Sequence, residues 1–244
     1  MTDADQAPTT LRTYASFAER YAAIAPTKPH NGLCERPATL ALLGEAAGLS
    51  VLDAGCGPGI CSEILARAGA TVHGVDLVPE MVALARRRCA GLPATFSVGD
   101  LARLDGLDSD FDRVLCSLAL DYVERLDDAF SAFRRAARPD GVLVFSMAHP
   151  MSDWTNERIR GDGVYHERSR FGLHWTGFGE PPPFVEAYRR PLAEILNALT
   201  ASGWALERIV EPRPLPAMKA VAPQLYERLE RAPAFICVRA RRPP

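Results

Sequence analysis

From Val51 to Gly59 the chain reads Val-Leu-Asp-Ala-Gly-Cys-Gly-Pro-Gly, an apolar β-prone run that breaks into a glycine-rich turn. Gly55 and Gly57 admit backbone conformations and close approaches that a side chain would block, and a helix starting behind them would offer free N–H groups to a polar ligand. Asp76 closes the next β-prone run, where a carboxylate can accept two hydrogen bonds from a ribose diol. Together they point to an adenosine-containing ligand. Two chemistries compete for it. A dinucleotide fingerprint spaces its glycines as G-x-G-x-x-G, whereas here Gly55-Cys56-Gly57-Pro58-Gly59 follows directly on Asp53 and Ala54. The spacing disfavours an NAD-dependent oxidoreductase, which stays as the alternative beside a non-enzymatic protein holding the same nucleotide as a structural ligand.

His149 is placed at the C-terminal end of the fifth β-prone run, the edge where open α/β sheets bind ligands. A neutral imidazole there suits a general base for a hydroxyl or ring N–H, with Tyr122 or Asp121 nearby. The equally simple reading is a histidine that ties the following segment to the sheet. Residues 149–188 are rich in aromatic side chains, among them Trp154, Tyr165, Trp175 and Tyr188, with His166 and His174 as polar handles. These six are the candidate substrate contacts, in a lid enclosing a flat, apolar acceptor. The alternative is an aromatic cluster that only pins a long segment. The histidines lack the compact spacing of metal ligands, so no metal is expected.

Positioning these residues requires short strands alternating with helices. Ser50–Ala54, Thr71–Asp76, Ala94–Val98, Phe111–Ser117 and Gly141–Met147 are β-prone, with helical stretches at Pro58–Ala68, Pro79–Cys89 and Glu124–Ala137 between them. Such alternation builds a parallel sheet with helices on both faces. Helices over 11–24 and Pro37–Ala47 precede the core; Leu192–Ser202 and strands near Trp204–Val210 and Ala234–Ala240 complete it. One domain is expected: an N-terminal helical cap over 1–48, a cofactor-binding α/β core over 49–148, an insertion over 149–187 and the rest of the core over 188–244. Prolines crowd the last third, which is expected to carry long irregular connections.

The 244 residues are 48% hydrophobic and carry a formal charge of -2, which offers no general attraction to nucleic acid or an anionic membrane. No apolar run is long enough to span a bilayer and the start lacks a signal peptide's features, so a cytoplasmic protein is expected. Cys34, Cys56, Cys61, Cys89, Cys116 and Cys237 form no C-x-x-C pair and read as small buried hydrophobes.

The turn VLDAGCGPG, followed by Asp76, Gly99-Asp100 and Cys116 to Tyr122 at successive strand ends, resembles the class I S-adenosylmethionine-dependent methyltransferases. Glu35-Arg36-Pro37, Phe145 to Pro150 and Arg190-Pro191-Leu192 extend the likeness to a bacterial small-molecule subgroup related to the UbiE-like, type 11 enzymes. The resemblance implies a Rossmann-like, seven-stranded, mostly parallel sheet with an insertion after strand five. It also implies S-adenosylmethionine as methyl donor and S-adenosylhomocysteine as product. Asp53 and the backbone of Gly55, Cys56 and Gly57 would lie by the methionine portion, Asp76 would take the ribose hydroxyls, and Arg36 would be a further cofactor contact. Leu77 and Met81 would pack near the adenine, Asp100 would accept from its amino group, and Leu101 would meet the ring edge. Ser117 and Leu118 would line the methionine end near the sulfonium, with Tyr14 or Tyr21 closing over the cofactor. The aromatic-rich segment suits, as acceptor, a small aromatic or heteroaromatic metabolite of secondary metabolism, methylated on O or N, or on C, by a monomer or homodimer. Cys34, where an aromatic is usual, and Asp121, where His is frequent, depart from that pattern.

Overall fold

A computed structural model of the protein describes residues 9–104, 106–107 and 110–244. The first helix, α1 (Thr9–Ile24), kinks at Phe17, where the backbone leaves helical geometry. A π-helical turn (Asn31–Glu35) runs into α2 (Arg36–Leu43), which ends at Gly44 in a positive φ of 78°. The helix expected over Pro37–Ala47 therefore stops earlier, because Gly44 turns the chain away.

The core alternates β1 (Ser50–Ala54), α3 (Ile60–Arg67), β2 (Thr71–Asp76), α4 (Pro79–Arg88), β3 (Ala94–Val98), β4 (Phe111–Ser117), α5 (Leu126–Ala136) and β5 (Ala137–Ala148). After the insertion come α8 (Leu192–Ala201), β8 (Ala205–Val210) and β9 (Phe235–Arg241). The seven strands lie in the order β3-β2-β1-β4-β5-β9-β8. All neighbours from β3 to β5 are parallel, and β9 runs antiparallel between β5 and β8. This is the expected Rossmann-like sheet. Its strand order reverses between β1 and β4, which opens a crevice at their C-terminal ends.

Alternation along the strands builds two apolar layers. Leu52, Val114, Leu143, Phe145 and Val238 face α5 and α8, packing on Phe130, Phe133 and Leu199. Val51, Leu115, Val144 and Cys237 face α2 and α3, packing on Leu43 and Leu65. All six cysteines are buried and free.

The insertion is more ordered than its sequence suggests. It holds α6 (Pro150–Thr155), α7 (Glu157–Arg160) and a two-stranded antiparallel ribbon of β6 (Ser169–His174) and β7 (Phe184–Arg189). A Cβ added at Gly172 would lie 2.2 Å from Phe184 Cζ, so the glycine makes room for the opposing ring. The Pro-rich tail likewise folds into α9 (Met218–Val221) and α10 (Pro223–Arg231), whose Leu229 packs with Met218 and Cys34. No helix among the described residues is long and apolar enough to cross a membrane.

Candidate functional site

At the crevice lies a cavity of about 430 Å³, within the range of small-molecule sites. Each wall is a strand end. The turn after β1 gives Gly55 and Gly57; the end of β2 and start of α4 give Asp76, Leu77, Val78 and Met81. Asp100, Leu101 and Ala102 follow β3, and Ser117, Leu118, Ala119 and Tyr122 follow β4. Tyr14 and Tyr21 of α1 form the roof, and Tyr188 of β7 joins Val123, Glu124, Arg125 and Asp128 on the outer side.

The glycine turn is tied down by its own donors. The N–H groups of Gly55 and Cys56 both donate to Val75 O, at 2.7 and 3.0 Å, and that of Gly57 donates to Asp76 Oδ2 at 2.8 Å. The free donors expected here are thus consumed in closing β1 onto β2, and glycine surfaces face the cavity instead. Asp76 Oδ1 accepts from Val78 N at 2.9 Å, two residues on, in an Asx turn that leads into α4. Burial pushes the Asp76 carboxyl above its ordinary range, and these backbone donors oppose the shift.

Tyr14 and Tyr122 share a hydrogen bond between their hydroxyls at 2.7 Å, across the cavity roof. Burial holds the Tyr14 and Tyr122 phenols well above their usual range, and Tyr21 at about 12. They are hydrogen-bonding phenols and not bases at neutral pH.

Eleven of the cofactor candidates line this one space: Tyr14, Tyr21, Gly55, Gly57, Asp76, Leu77, Met81, Asp100, Leu101, Ser117 and Leu118. Three do not. Asp53 is buried under the turn, where Ser62 Oγ donates to it at 2.5 Å and burial pushes its carboxyl up to about 6. The Cys56 side chain packs with Val82, Ala85 and Phe96. Arg36 donates to the carbonyls of Ala25 and Pro26, both at 3.1 Å, and so holds the end of α1.

Among the catalytic candidates only Tyr122 reaches the cavity. His149 Nδ1 accepts from Met151 N at 3.2 Å, so its Nε2 carries the hydrogen toward Glu211 Oε1, 2.8 Å away. Placed as the N-cap of α6, the ring has no nitrogen left for a substrate proton, and the structural reading of His149 replaces the general base. Asp121 also lies off the cavity; its Oδ2 accepts from Ala148 N at 3.3 Å. Of the substrate candidates only Tyr188 lines it. Trp154 packs against Tyr165, with Arg189 above its ring, and His166 stacks edge-on against Tyr165. His174 Nδ1 lies 3.2 Å from Pro182 O. Trp175 and Phe178 instead grip α1: Phe178 stacks on Tyr21 with centroids 5.4 Å apart, and Trp175 meets Tyr14 edge-on at 6.2 Å. The insertion therefore acts on the cavity through its roof.

Buried carboxyls near Ala148 make stability pH-dependent. Burial pushes Asp121 up to about 7, and burial with the nearby Asp121 charge pushes Asp153 up to about 8. The unfolded chain ionises both near about 3.9. Around neutrality the folded protein thus holds protons that the unfolded chain has released, and stability falls as pH rises through about 7 to 8. Below about pH 6, His30, lowered to about 4 by burial, opposes this trend. The urea midpoint should decline from about pH 6.5 to 8.5, and the double variant Asp121→Asn, Asp153→Asn should flatten that decline. A wild-type midpoint that rises over the interval would contradict the assignment.

Comparison with known proteins decides the family. The chain is 34% identical to an S-adenosylmethionine-dependent methyltransferase of Mesorhizobium loti, over 87% of this chain and 99% of that one, with a TM-score of 0.72. The chain belongs to the class I S-adenosylmethionine-dependent methyltransferases. The methyltransferase-domain family matches residues 51–141, the segment from β1 into β5. A Haemophilus influenzae protein is 28% identical over 87% of this chain and 88% of its own length. The malonyl-[acyl-carrier protein] O-methyltransferase of Pectobacterium atrosepticum is 38% identical over 44% of this chain, and the match spans only 42% of that protein. Seven further residues of the methyltransferase line the cavity without having been singled out: Val78, Ala102, Ala119, Val123, Glu124, Arg125 and Asp128. Most directly follow a strand-end residue already named, and that adjacency was the available signal.

Proposed function

We propose that this methyltransferase moves the sulfonium methyl of S-adenosylmethionine onto an oxygen or nitrogen, or a carbon, of a small, flat aromatic or heteroaromatic metabolite. The observation that carries the reading is the single cavity at the sheet's switch point, which gathers Asp76, Asp100, an apolar slot of Leu77, Val78, Met81 and Leu101, and four tyrosines. Those residues fit the donor's parts. Asp76 suits the ribose diol, the apolar slot with Asp100 suits the adenine, and Ser117 with the glycine turn borders the methionine end. When bound, S-adenosylmethionine supplies a methyl group already activated by positive sulfur.

The protein's task is then alignment and exclusion of water, effects that can supply about 7–11 kcal/mol. The acceptor lies on the side of Tyr122 and Tyr188, whose rings offer flat apolar contact and whose hydroxyls orient a polar substituent. With S-adenosylmethionine bound, the electron pair of the broken sulfur–methyl bond would stay on sulfur, giving S-adenosylhomocysteine, while the residues of this chain hold the acceptor in line with the methyl group. The acceptor's proton leaves to water along the outer wall, where Arg125 and Asp128 pair at the surface. Because the site is built from one chain and needs no metal ligand set, a monomer or a homodimer would serve equally.

Calorimetry with S-adenosylhomocysteine tests the donor, and mass spectrometry after incubation with S-adenosylmethionine and a panel of phenols, N-heteroaromatics, amines and acyl carboxylates tests the acceptor. One-to-one binding with methylation confined to the flat aromatics is expected. Methylation of the acyl carboxylates alone would replace this acceptor class, and the absence of S-adenosylhomocysteine binding would overturn the cofactor reading.

A further inference from the structure

Glu35 is a carboxylate only 1% exposed, at the junction of the π-helical turn and α2. Its Oε1 lies within hydrogen-bond distance of three hydroxyls: Ser146 at 2.5 Å, Ser117 at 2.9 Å and Thr39 at 2.8 Å, of which Thr39 also reaches the Glu35 carbonyl oxygen at 3.1 Å. An ionised carboxylate can only accept, and a hydroxyl has one hydrogen to give. Each serine has therefore committed its donor to Glu35 and presents only lone pairs elsewhere. Ser146 uses one to accept from Leu118 N at 3.1 Å. Ser117 stands at the end of β4 on the cavity wall. The Cys61 thiol beside it, which burial holds protonated, is another donor and takes at most one of its two lone pairs.

We propose that Glu35 is a positioning residue that fixes the hydrogen-bond polarity of Ser117, so that the end of β4 turns an obligate acceptor toward the cavity and selects a ligand carrying a cationic N–H donor at that point. Resting on the cofactor reading above, that donor is the α-ammonium of the methionine portion. Its three hydroxyl partners come from α2, β4 and β5, so one buried carboxyl group ties together the two central strand ends that flank the crevice.

Calorimetry should compare S-adenosylhomocysteine with its analogue lacking the α-amino group. The wild-type protein should prefer the amino ligand by about tenfold to a hundredfold, the worth of one charge-assisted hydrogen bond. Glu35→Leu removes the oxygen on which the hydroxyls converge and frees a serine hydrogen to point outward; it should lower that preference by about tenfold, whereas Glu35→Gln can set its carbonyl oxygen in the place of Oε1 and should keep most of it. Ser117→Ala, at a partly exposed position that tolerates the loss of one hydroxyl, should lower it similarly and carries the test if Glu35→Leu does not fold. Glu35→Leu and Ser117→Ala variants that weaken both ligands equally and keep the preference would reduce Glu35 to a structural role and overturn the proposal. A wild-type protein that binds both ligands alike would overturn it and leave the cofactor reading standing. Binding of neither would remove both.

Discussion

Asp76→Ala is expected to weaken the binding of S-adenosylhomocysteine by about 100-fold or more, with the fold retained. A carboxylate offers roughly four lone-pair sites. Two of those on Asp76 are occupied by Gly57 N and Val78 N, which leaves one on each oxygen for a ribose hydroxyl. Hydrogen bonds to a charged group are worth about 1.5–3 kcal/mol each. A pair would therefore account for about 10²- to 10⁴-fold in affinity at 1.4 kcal/mol per factor of ten. Losing the carboxylate also releases Gly57, so the glycine turn would no longer be held against the end of β2. Asp76→Asn separates these contributions, since its carbonyl oxygen can keep one backbone bond but not the full set; an intermediate loss is expected. Calorimetric affinity within threefold of wild type for Asp76→Ala would sink the ribose assignment.

What the sequence made legible was local, and parallel-sheet geometry explains why. Every strand of β1 to β5 delivers its C-terminal end to one edge, so the residue that follows a β-prone run is a site candidate whatever the helices do. Asp76 was read in that way; Asp100 and Ser117, which the family resemblance implied, likewise stand at or just past a strand boundary that the structure reproduces. The same rule left two readings open for His149. It too follows a strand, but Pro150 starts a helix there and the ring turns to cap it. Strand-end position says where a residue stands and not what its side chain already holds.

The illegible parts were non-local. Glu35 draws its hydroxyls from residues 4, 82 and 111 positions away, and only the first of these separations has a helical period to betray it. The insertion's aromatics were read as a pocket because composition reports how much aromatic surface exists and not what it covers. Trp175 and Phe178 in fact bury themselves against Phe17, Tyr14 and Tyr21 of a helix more than 150 positions earlier. Such aromatic pairs are worth about 0.5–1.5 kcal/mol beyond their burial. They hold α1 in place, and with it the Tyr14 hydroxyl that meets Tyr122. The cavity's roof is consequently backed by two segments distant in sequence, of which the notable aromatic run is the outer.

Gly55→Ala should damage both stability and ligand binding, and for a reason confined to one methyl group. Gly55 has φ of +77°, and a Cβ built there would lie 2.3 Å from the Ala119 Cβ, far inside contact distance. Left-handed backbone costs a side-chain-bearing residue about 1–2 kcal/mol. Forcing an extra methyl into packed surroundings costs about 1–3 kcal/mol more. The sum, about 2–5 kcal/mol, corresponds to a fall in Tm of roughly 4–20 °C for a chain of this size. Ala119 follows β4 and lines the cavity, so the clash is relieved only by pushing the ends of β1 and β4 apart, across the crevice that the ligand must bridge. Loss of S-adenosylhomocysteine binding is therefore expected to exceed what the drop in stability alone would give, and should persist at temperatures well below the variant's Tm. Gly91→Ala is the control: φ is also positive there, at +80°, but an added Cβ meets nothing within 4 Å. It should lose stability by the backbone cost alone and bind normally. If Gly55→Ala behaved like Gly91→Ala in both measurements, the close approach of the β1 turn to Ala119 would have no part in forming the site.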